Sequence, residues 1–157
     1  AELVAWMKEV PWQFDDDRFE RLALELFAIQ FSECPPYAAL CVSRGCTPDN
    51  VTQFERIPPV PAGAFKEFPL RCFPEEQTIH RFRTSGTSSD RRGVLELDTL
   101  APYEASLIGS LRTLWLTDLV GQKPVMRFLA AAPEEAPDSS LSHMFGVLAE
   151  AEGGEGA

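Results

Sequence analysis

The chain has 157 residues, of which 45% are apolar and 24% are charged, and its formal net charge is −10. This composition is typical of a globular domain with a buried core and excludes disorder as the default state. The acidic balance argues against nonspecific binding to nucleic acid or anionic lipid. The sequence has no long apolar run and no leader-like start, so it predicts a soluble, cytoplasmic protein with no membrane span.

The first predicted element is an amphipathic helix over residues 16–31. Three aspartates at 15–17 give it the acidic first turn that suits the helix dipole. The prolines at 35–36 end it, because proline cannot donate a backbone hydrogen bond. A second short helix is expected over about 37–44, with Gly45 in a left-handed cap. The apolar stripe of the first helix comprises Phe19, Leu22, Ala23, Leu26 and Phe27.

Residues 47–74 are predicted to form an extended connector with short turns. Its six prolines, together with Gly63, argue against a long helix or a central strand. Lys66 lies in this stretch, within the sequence Ala-Phe-Lys-Glu-Phe, and is interpreted as a surface cation.

The four cysteines are spaced by seven, five and twenty-six residues, and they are Cys34, Cys41, Cys46 and Cys72. This spacing fits neither a metal site nor a disulfide framework. Reduced thiols in the core are therefore expected, and no metal site is predicted.

Two β-prone stretches, 77–84 and 93–97, are predicted to pair as a hairpin. The segment 81–93 spans the turn between them and holds five hydroxyl side chains, two glycines and four arginines. With one aspartate its charge is +3 in a chain of −10, which favours a small anionic ligand. Glycine lets the backbone approach a ligand and turn its N–H groups inward, and hydroxyls donate to phosphate oxygens.

The predicted phosphate ligands in this segment are Thr84, Ser85, Gly86, Thr87, Ser88, Ser89, Arg91 and Arg92. Six residues separate the glycines at 86 and 93, so this is not a Walker phosphate loop, and no dinucleotide-binding Gly-x-Gly-x-x-Gly occurs. The alternative is a Ser/Gly-rich surface hairpin whose arginines are simply solvated.

A helix with Pro102 in its first turn is predicted next, capped by Asp98 or Thr99. Residues 125–131 are almost continuously apolar, which is typical of a strand covered on both faces. A last helix is expected over 141–151, capped by one of the three polar residues before it. The order strand, helix, strand, helix predicts an α/β layer with a parallel strand pair. The apolar face of the first of these helices comprises Leu107, Ile108, Leu111, Leu114 and Trp115.

Several stretches resemble a known family when their order and spacing are taken together. Thr84–Ser89 resembles the Thr-Ser-Gly-Thr-Thr-Gly phosphate loop of adenylate-forming enzymes, and Leu141–Gly146 resembles their Leu-Phe-His-x-x-Gly word. The best likeness within that superfamily is to the acyl-protein synthetases of the LuxE type. Supporting stretches are Phe27–Tyr37, Ile57–Pro61, Ala64–Lys66 and Tyr103–Leu107.

The resemblance implies ATP-dependent ligase activity, in which a fatty or other carboxylic acid becomes an acyl-adenylate and its acyl group passes to a thiol. It implies ATP and Mg²⁺ as cofactors, a loop that grips the phosphates, a catalytic His143 at the acid's carboxylate, and a partner protein that accepts or reduces the acyl group. Without the resemblance, His143 among apolar neighbours is interpreted as a satisfied core residue. The loop departs from the family pattern, since Ser89–Gly93 stands where the family has Gly-x-Pro-Lys.

The predicted fold class is α/β, with a helical N-terminal region at 1–46, a Pro-rich connector at 47–76 and an α/β part at 77–157 that carries a mixed sheet layer. Together they are expected to form one incomplete domain, part of an adenylate-forming-enzyme N-terminal domain, and this fragment is expected to be inactive alone because later family motifs are missing. Two other functions remain open. One is a non-catalytic interaction module or subunit derived from an adenylating enzyme, and the other is a stand-alone domain that binds a phosphorylated metabolite.

Overall fold

A computed structural model describes residues 2–9, 13–84, 91–119 and 121–154. By their contacts the residues form two compact units. The hairpin unit comprises residues 14–98, and the helical unit comprises residues 1–13 together with 99–157. The three-part division expected from composition stays a prediction. None of the helices in the described ranges is long and apolar enough to cross a membrane.

The described residues contain both helices and strands, so the predicted mixed α/β class is confirmed at that level. The helices are α1 (Glu2–Met7), α2 (Asp16–Glu33), α3 (Pro35–Ser43), α4 (Ala64–Glu67), α5 (Ala101–Leu114) and α6 (Ser140–Glu152). The strands are β1 (His80–Arg83) and β2 (Val94–Leu97). Short 3-10 turns span Phe54–Arg56, Glu75–Gln77 and Thr117–Leu119.

Helix α2 matches the first predicted helix. Asp15 caps it, since its carboxylate accepts a hydrogen bond from the N–H of Arg18 at 2.9 Å. The helix ends at Glu33, with Cys34 as its C-cap, because the prolines at 35–36 follow. Helix α3 begins on those prolines, where a missing N–H is tolerated. Gly45 follows α3 with a φ of +68°, which confirms the predicted left-handed cap.

The core of the hairpin unit is formed by α2, α3 and the connector. The Phe27 ring meets the Tyr37 ring edge-on, with centroids 6.2 Å apart. The Tyr37 hydroxyl donates to the carbonyl of Pro58 at 3.0 Å and so ties the connector to α3. Burial also raises the pKa of Tyr37. The buried members of this core are Phe27, Cys34, Tyr37, Cys41 and Val51.

The cysteines are free thiols, as the sequence predicts. Cys34 and Cys41 are buried in the core, and burial raises the pKa of the Cys41 thiol. Cys46 and Cys72 are half-buried, and burial raises the pKa of Cys72 as well. Thiols held protonated in this way pack as small apolar groups.

The connector has the irregular form that its prolines predict. Its regular pieces, within the described residues, are short turns and the one-turn helix α4. Asn50 closes its first turn, because its side-chain oxygen accepts from the N–H of Thr47 at 2.8 Å and its amide donates to the carbonyl of Gly45 at 2.9 Å.

Strands β1 and β2 pair antiparallel, which confirms the predicted hairpin. Alternate residues of a strand point to opposite faces. Phe82 is accordingly buried, whereas Arg81 and Arg83 are exposed on the other face. The register pairs His80 with Leu97, Arg81 with Glu96, Phe82 with Leu95 and Arg83 with Val94.

The helical unit packs α5 against α1 and α6. Helix α1 has only six residues, too few for a periodic signal, and was not predicted from the sequence. The predicted cap of α5 is wrong: the cap is Leu100, and the hydroxyl of Thr99 instead accepts from the N–H of Ala101 at 3.2 Å. The predicted capping of α6 is confirmed, because the Ser139 hydroxyl accepts from the N–H of Ser142 at 3.2 Å.

Two predicted apolar faces are buried only in part. On α2, Phe19 and Leu26 remain 47% and 39% exposed. On α5, Leu111 is buried, but Leu114 and the C-cap residue Trp115 are 67% and 73% exposed. The helical period identifies which residues share a face, but the extent of the neighbouring surface decides how much of that face is covered.

The apolar segment 125–131 is not a strand, so the predicted parallel pair is wrong. The described sheet consists of β1 and β2. Phe128 stacks on Phe145 with ring centroids 4.4 Å apart, yet Val125 and Leu129 are largely exposed. Residues 125–131 belong to neither of the two strands of the described sheet. Apolar sequence does not suffice for a strand, because the backbone groups of a strand need a neighbour.

Candidate functional site

The two strands converge on the hairpin mouth, which we define as Thr84 and Gly93. The N–H of Thr84 donates to the Gly93 carbonyl, and the N–H of Gly93 donates to Oγ1 of Thr84, both at 2.9 Å. A Cβ at Gly93 would lie 3.2 Å from Cγ2 of Thr84 and 3.3 Å from Cβ of Phe65, so glycine suits this close approach. Thr84 is exposed, and a hydroxyl that accepts one hydrogen bond still has its own proton to donate.

The structure describes both ends of the predicted phosphate-binding segment. Thr84 stands on one side of the hairpin mouth, and Arg91 and Arg92 precede Gly93 on the other. The remaining predicted ligands lie outside the described residues, and their roles stay predictions. They are Ser85, Gly86, Thr87, Ser88 and Ser89.

Arg91 forms an ion pair with Glu67 of α4, with Nη1 and Oε2 2.8 Å apart. Their side chains are 67% and 54% exposed, and such surface pairs contribute only about 0–1 kcal/mol to stability. The pair between Arg91 and Glu67 is therefore a weak surface contact. Arg92 is exposed as well.

A cleft of about 400 Å³ lies on the charged face of the hairpin, and we call it the cationic cleft. Helix α4 and the residues after it form one wall, and the hairpin strands form the other. Aromatic carbon from Phe65 and Phe68 lines part of it. Its basic residues are Lys66, Arg71, Arg81 and Arg83, and its acidic residues are Glu67, Glu75 and Glu96.

Glu96 organises two of the cleft arginines. Its carboxylate accepts hydrogen bonds from Nε of Arg81, at 2.9 Å, and from Arg71. Arg71 also bonds Glu75 at 3.2 Å. Burial by itself raises the pKa of Glu96, but the hydrogen bonds and positive charges of Arg81 and Arg71 outweigh it, so the net pKa is lowered. Glu96 is therefore ionised at neutral pH and holds both guanidinium groups in place.

The sequence did not reveal this cleft. Lys66 was interpreted as a surface cation, whereas it is half-buried and lines the cleft. Arg71 belongs to no predicted motif. The connector has no repeating pattern from which the direction of a side chain follows, so the packing of α4 against β2 was required to find these residues.

His143 lies in the helical unit, apart in sequence from the hairpin. Its Nε2 is 3.2 Å from Oε1 of Glu104, and its ring lies 5.7 Å from the ring of Tyr103, centroid to centroid. The Tyr103 hydroxyl donates to the carbonyl of Ser140 at 2.9 Å, and burial raises the pKa of Tyr103. α5 therefore supplies two neighbours that help to orient the His143 ring.

ATP and Mg²⁺ are the cofactors that the resemblance implies. The Thr84 hydroxyl and the basic residues of the cationic cleft are donors that phosphate oxygens require, so they fit a polyphosphate. The described part of the chain holds no group of three His, Cys, Asp or Glu side chains that could bind a metal ion. The described residues therefore fit the phosphates and provide no dedicated Mg²⁺ site.

No protein-family model matches the chain, and no curated protein or solved structure matches it either. The likeness to acyl-protein synthetases thus rests on the sequence stretches alone. The function has to follow from the geometry and chemistry of the hairpin mouth, the cationic cleft and His143 with its neighbours Glu104 and Tyr103.

Proposed function

We propose that this chain takes part in the ATP-dependent activation of a fatty or other carboxylic acid as an acyl-adenylate, whose acyl group then passes to a thiol. Its mixed α/β architecture is then part of the N-terminal domain of an adenylate-forming ligase of the acyl-protein synthetase type. One observation carries the proposal: an exposed threonine hydroxyl, fixed at the hairpin mouth, beside a cleft lined by four basic residues.

Thr84 supplies a positioned donor for a phosphate oxygen. The hydrogen bond from the N–H of Gly93 occupies one lone pair of its oxygen and restricts rotation of the side chain. The hydroxyl proton is not used in that bond and is available to a ligand at the mouth. A donor fixed before the ligand arrives needs no reorganisation when it binds.

The basic residues supply the charge handling that adenylation needs. An oxygen of the acid attacks the α-phosphorus of ATP, the bond to the bridging oxygen breaks, and pyrophosphate leaves with the electron pair. Negative charge develops on the leaving group, and preorganised cations beside it stabilise the transition state. Phosphoryl chemistry of this kind requires mainly positioning and electrostatics from the protein.

His143 is proposed to orient the carboxylate of the acid. Glu104 and Tyr103 hold its ring in one orientation, and the histidine side chain is only 19% exposed. A ring fixed in this way suits the alignment of a planar carboxylate, and the apolar neighbours in α6 suit an acyl chain. The cysteines are free thiols, which is the state that a reducing compartment favours, and we propose that the reaction takes place in the cytoplasm.

The test is acid-dependent exchange of labelled pyrophosphate into ATP, measured on the polypeptide of the complete reading frame with fatty acids of several lengths. Thr84→Val removes the hydroxyl and keeps the branched shape, and Thr84→Ser keeps the hydroxyl. Loss of one hydrogen bond to a charged group lowers the exchange rate by about tenfold or more in Thr84→Val. Thr84→Ser is expected to stay within about threefold of the unaltered protein.

Each possible result decides between the candidate functions. Equal exchange in both variants removes Thr84 from the site. A complete protein that shows no acid-dependent exchange but binds tripolyphosphate is a phosphometabolite-binding domain. A protein that does neither is the non-catalytic interaction module.

A further inference from the structure

We propose that Lys66 is a phosphate ligand of the cationic cleft and binds a terminal phosphate of a polyphosphate held at the hairpin mouth. This inference rests on the proposed function for the identity of the ligand, but the binding site it assigns can be tested without any turnover. It replaces the interpretation of Lys66 as a surface cation.

The packing of α4 places Lys66 at the hairpin mouth. Helix α4 packs against β2. Phe65, the residue before Lys66, lies close to Gly93: a Cβ added at Gly93 would be 3.3 Å from the Cβ of Phe65. Glu67, the residue after Lys66, is bonded to Arg91. Lys66 is therefore flanked on both sides by contacts to the residues that end the phosphate-binding segment, and its half-buried side chain lines the cleft.

The charges of the cleft favour an anion. Four lining cations stand against three lining carboxylates, so the charge of the cleft lining is +1. The whole chain has a net charge of −10. An acidic body that concentrates basic groups in one concave place attracts a small anionic ligand to that place.

The chemistry of lysine suits direct contact with such a ligand. Arg71 and Arg81 are tied to Glu96, which is only 12% exposed, so their guanidinium groups are fixed parts of the wall. Lys66 carries a compact charge with three donors on a flexible four-carbon stem. The fixed arginines set the potential of the cleft, and Lys66 makes the direct contact with phosphate.

Pyridoxal 5′-phosphate tests this assignment, because it carries a phosphate and an aldehyde on one small ring. The deprotonated amine of a lysine attacks the aldehyde carbon, water leaves and an imine forms. Borohydride then delivers hydride to the imine carbon and yields a stable secondary amine, which mass spectrometry locates. The lysines of the chain are Lys8, Lys66 and Lys123, and the first and last are exposed internal controls.

Lys66 is expected to be labelled about tenfold faster than Lys8 or Lys123, since a bound phosphate holds the aldehyde beside its amine. Tripolyphosphate should suppress labelling of Lys66 and leave the other two unchanged. Equal labelling of the three lysines, or labelling of Lys66 that tripolyphosphate does not suppress, overturns the assignment.

A second measurement compares tripolyphosphate binding by calorimetry in Lys66→Met, Lys66→Arg and the control Lys123→Met. Lys66→Met is expected to weaken binding about tenfold, Lys66→Arg less, and Lys123→Met not at all. Unchanged binding in a folded Lys66→Met variant overturns the assignment. If tripolyphosphate protects Lys66 from labelling but the protein shows no acid-dependent exchange, the phosphate site is supported and the proposed function is overturned. If exchange continues unchanged in Lys66→Met, the proposed function is supported and the assignment of Lys66 is overturned.

Discussion

Replacing Glu96 with glutamine tests how the cationic cleft is held together. The substitution preserves the size of the side chain and removes its charge. In the unaltered protein the carboxylate accepts hydrogen bonds from both Arg81 and Arg71. In Glu96→Gln one oxygen becomes an NH₂ group, which can no longer accept and which faces a guanidinium that also only donates.

The magnitude follows from the exposure of each partner. The side chains of Glu96 and Arg71 are 12% and 19% exposed, so the bond between them is worth about 1.5–3 kcal/mol, as for a hydrogen bond to a charged group away from water. Arg81 is 45% exposed, and screening reduces its contribution to about 0.2–1 kcal/mol. Because the remaining carbonyl oxygen of the glutamine can still accept one of these bonds, Glu96→Gln should lower the free energy of unfolding by less than their sum, by about 1.5–3 kcal/mol at neutral pH.

The dependence on pH has a definite sign. The pKa of Glu96 in the folded protein is lowered from the ordinary value of 4.5. A carboxylate with a lowered folded pKa contributes stability that is present above the unfolded pKa and is lost as the pH falls through the folded pKa. The difference between the unaltered protein and Glu96→Gln should consequently be full above about pH 5 and shrink as the pH falls below 4.5.

Urea unfolding followed by circular dichroism, from pH 7 down to pH 3.5, measures this difference. Glu76→Gln is the matched control, since Glu76 is exposed and should change stability by less than about 0.5 kcal/mol. A deficit in Glu96→Gln that stays constant over the whole range would refute the electrostatic explanation and point to altered packing. A deficit no larger than that of the control would show that the two arginines do not depend on Glu96.

Two further predictions concern the helical unit. In the complete protein, His143→Gln should raise the apparent Michaelis constant for the acid more than that for ATP, because the ring is proposed to orient the carboxylate. If the histidine is purely structural, the substitution should instead lower stability and affect both constants alike. Gly146→Ala should lower the free energy of unfolding by about 1 kcal/mol despite a better helix propensity, since the new Cβ would lie 2.7 Å from Cγ of Pro133, and chemical denaturation measures this. Gly63→Ala, where a Cβ meets nothing within 4 Å, should leave stability unchanged or slightly raised, and equal effects at the two glycines would contradict the steric reasoning.

The elements that could be predicted from the sequence are those with local signals. α2 has a capping aspartate, an apolar stripe and a proline stop within one window, and the hairpin has two β-prone stretches around a glycine-rich turn. Segment 125–131 has the composition of a buried strand, but strand formation depends on a partner that composition cannot supply. α1 is too short to carry a period of its own.

In the candidate site, too, some residues carry a local signal in the sequence and others do not. Thr84 and Arg91 were predicted as ligands because the composition of their segment is unusual, and their roles stay predictions. The hairpin brings Thr84 and Gly93, near the two ends of that segment, together. Glu67 is 24 residues from Arg91 in sequence, and Arg71 is 25 residues from Glu96. Contacts across such separations, through an irregular connector, follow from tertiary packing and leave no pattern in a single sequence.

The alternation of apolar and charged side chains in the hairpin also disfavours other strand registers. A slip of one residue between the strands would turn Phe82 out to water and carry Arg81 and Arg83 into the interior, because successive side chains point to opposite faces. The slipped form would also separate Arg81 from Glu96, and so it would bury unpaired charge as well as expose an aromatic ring. The residues that give the cleft its charge thus also select one strand alignment over its competitors during folding.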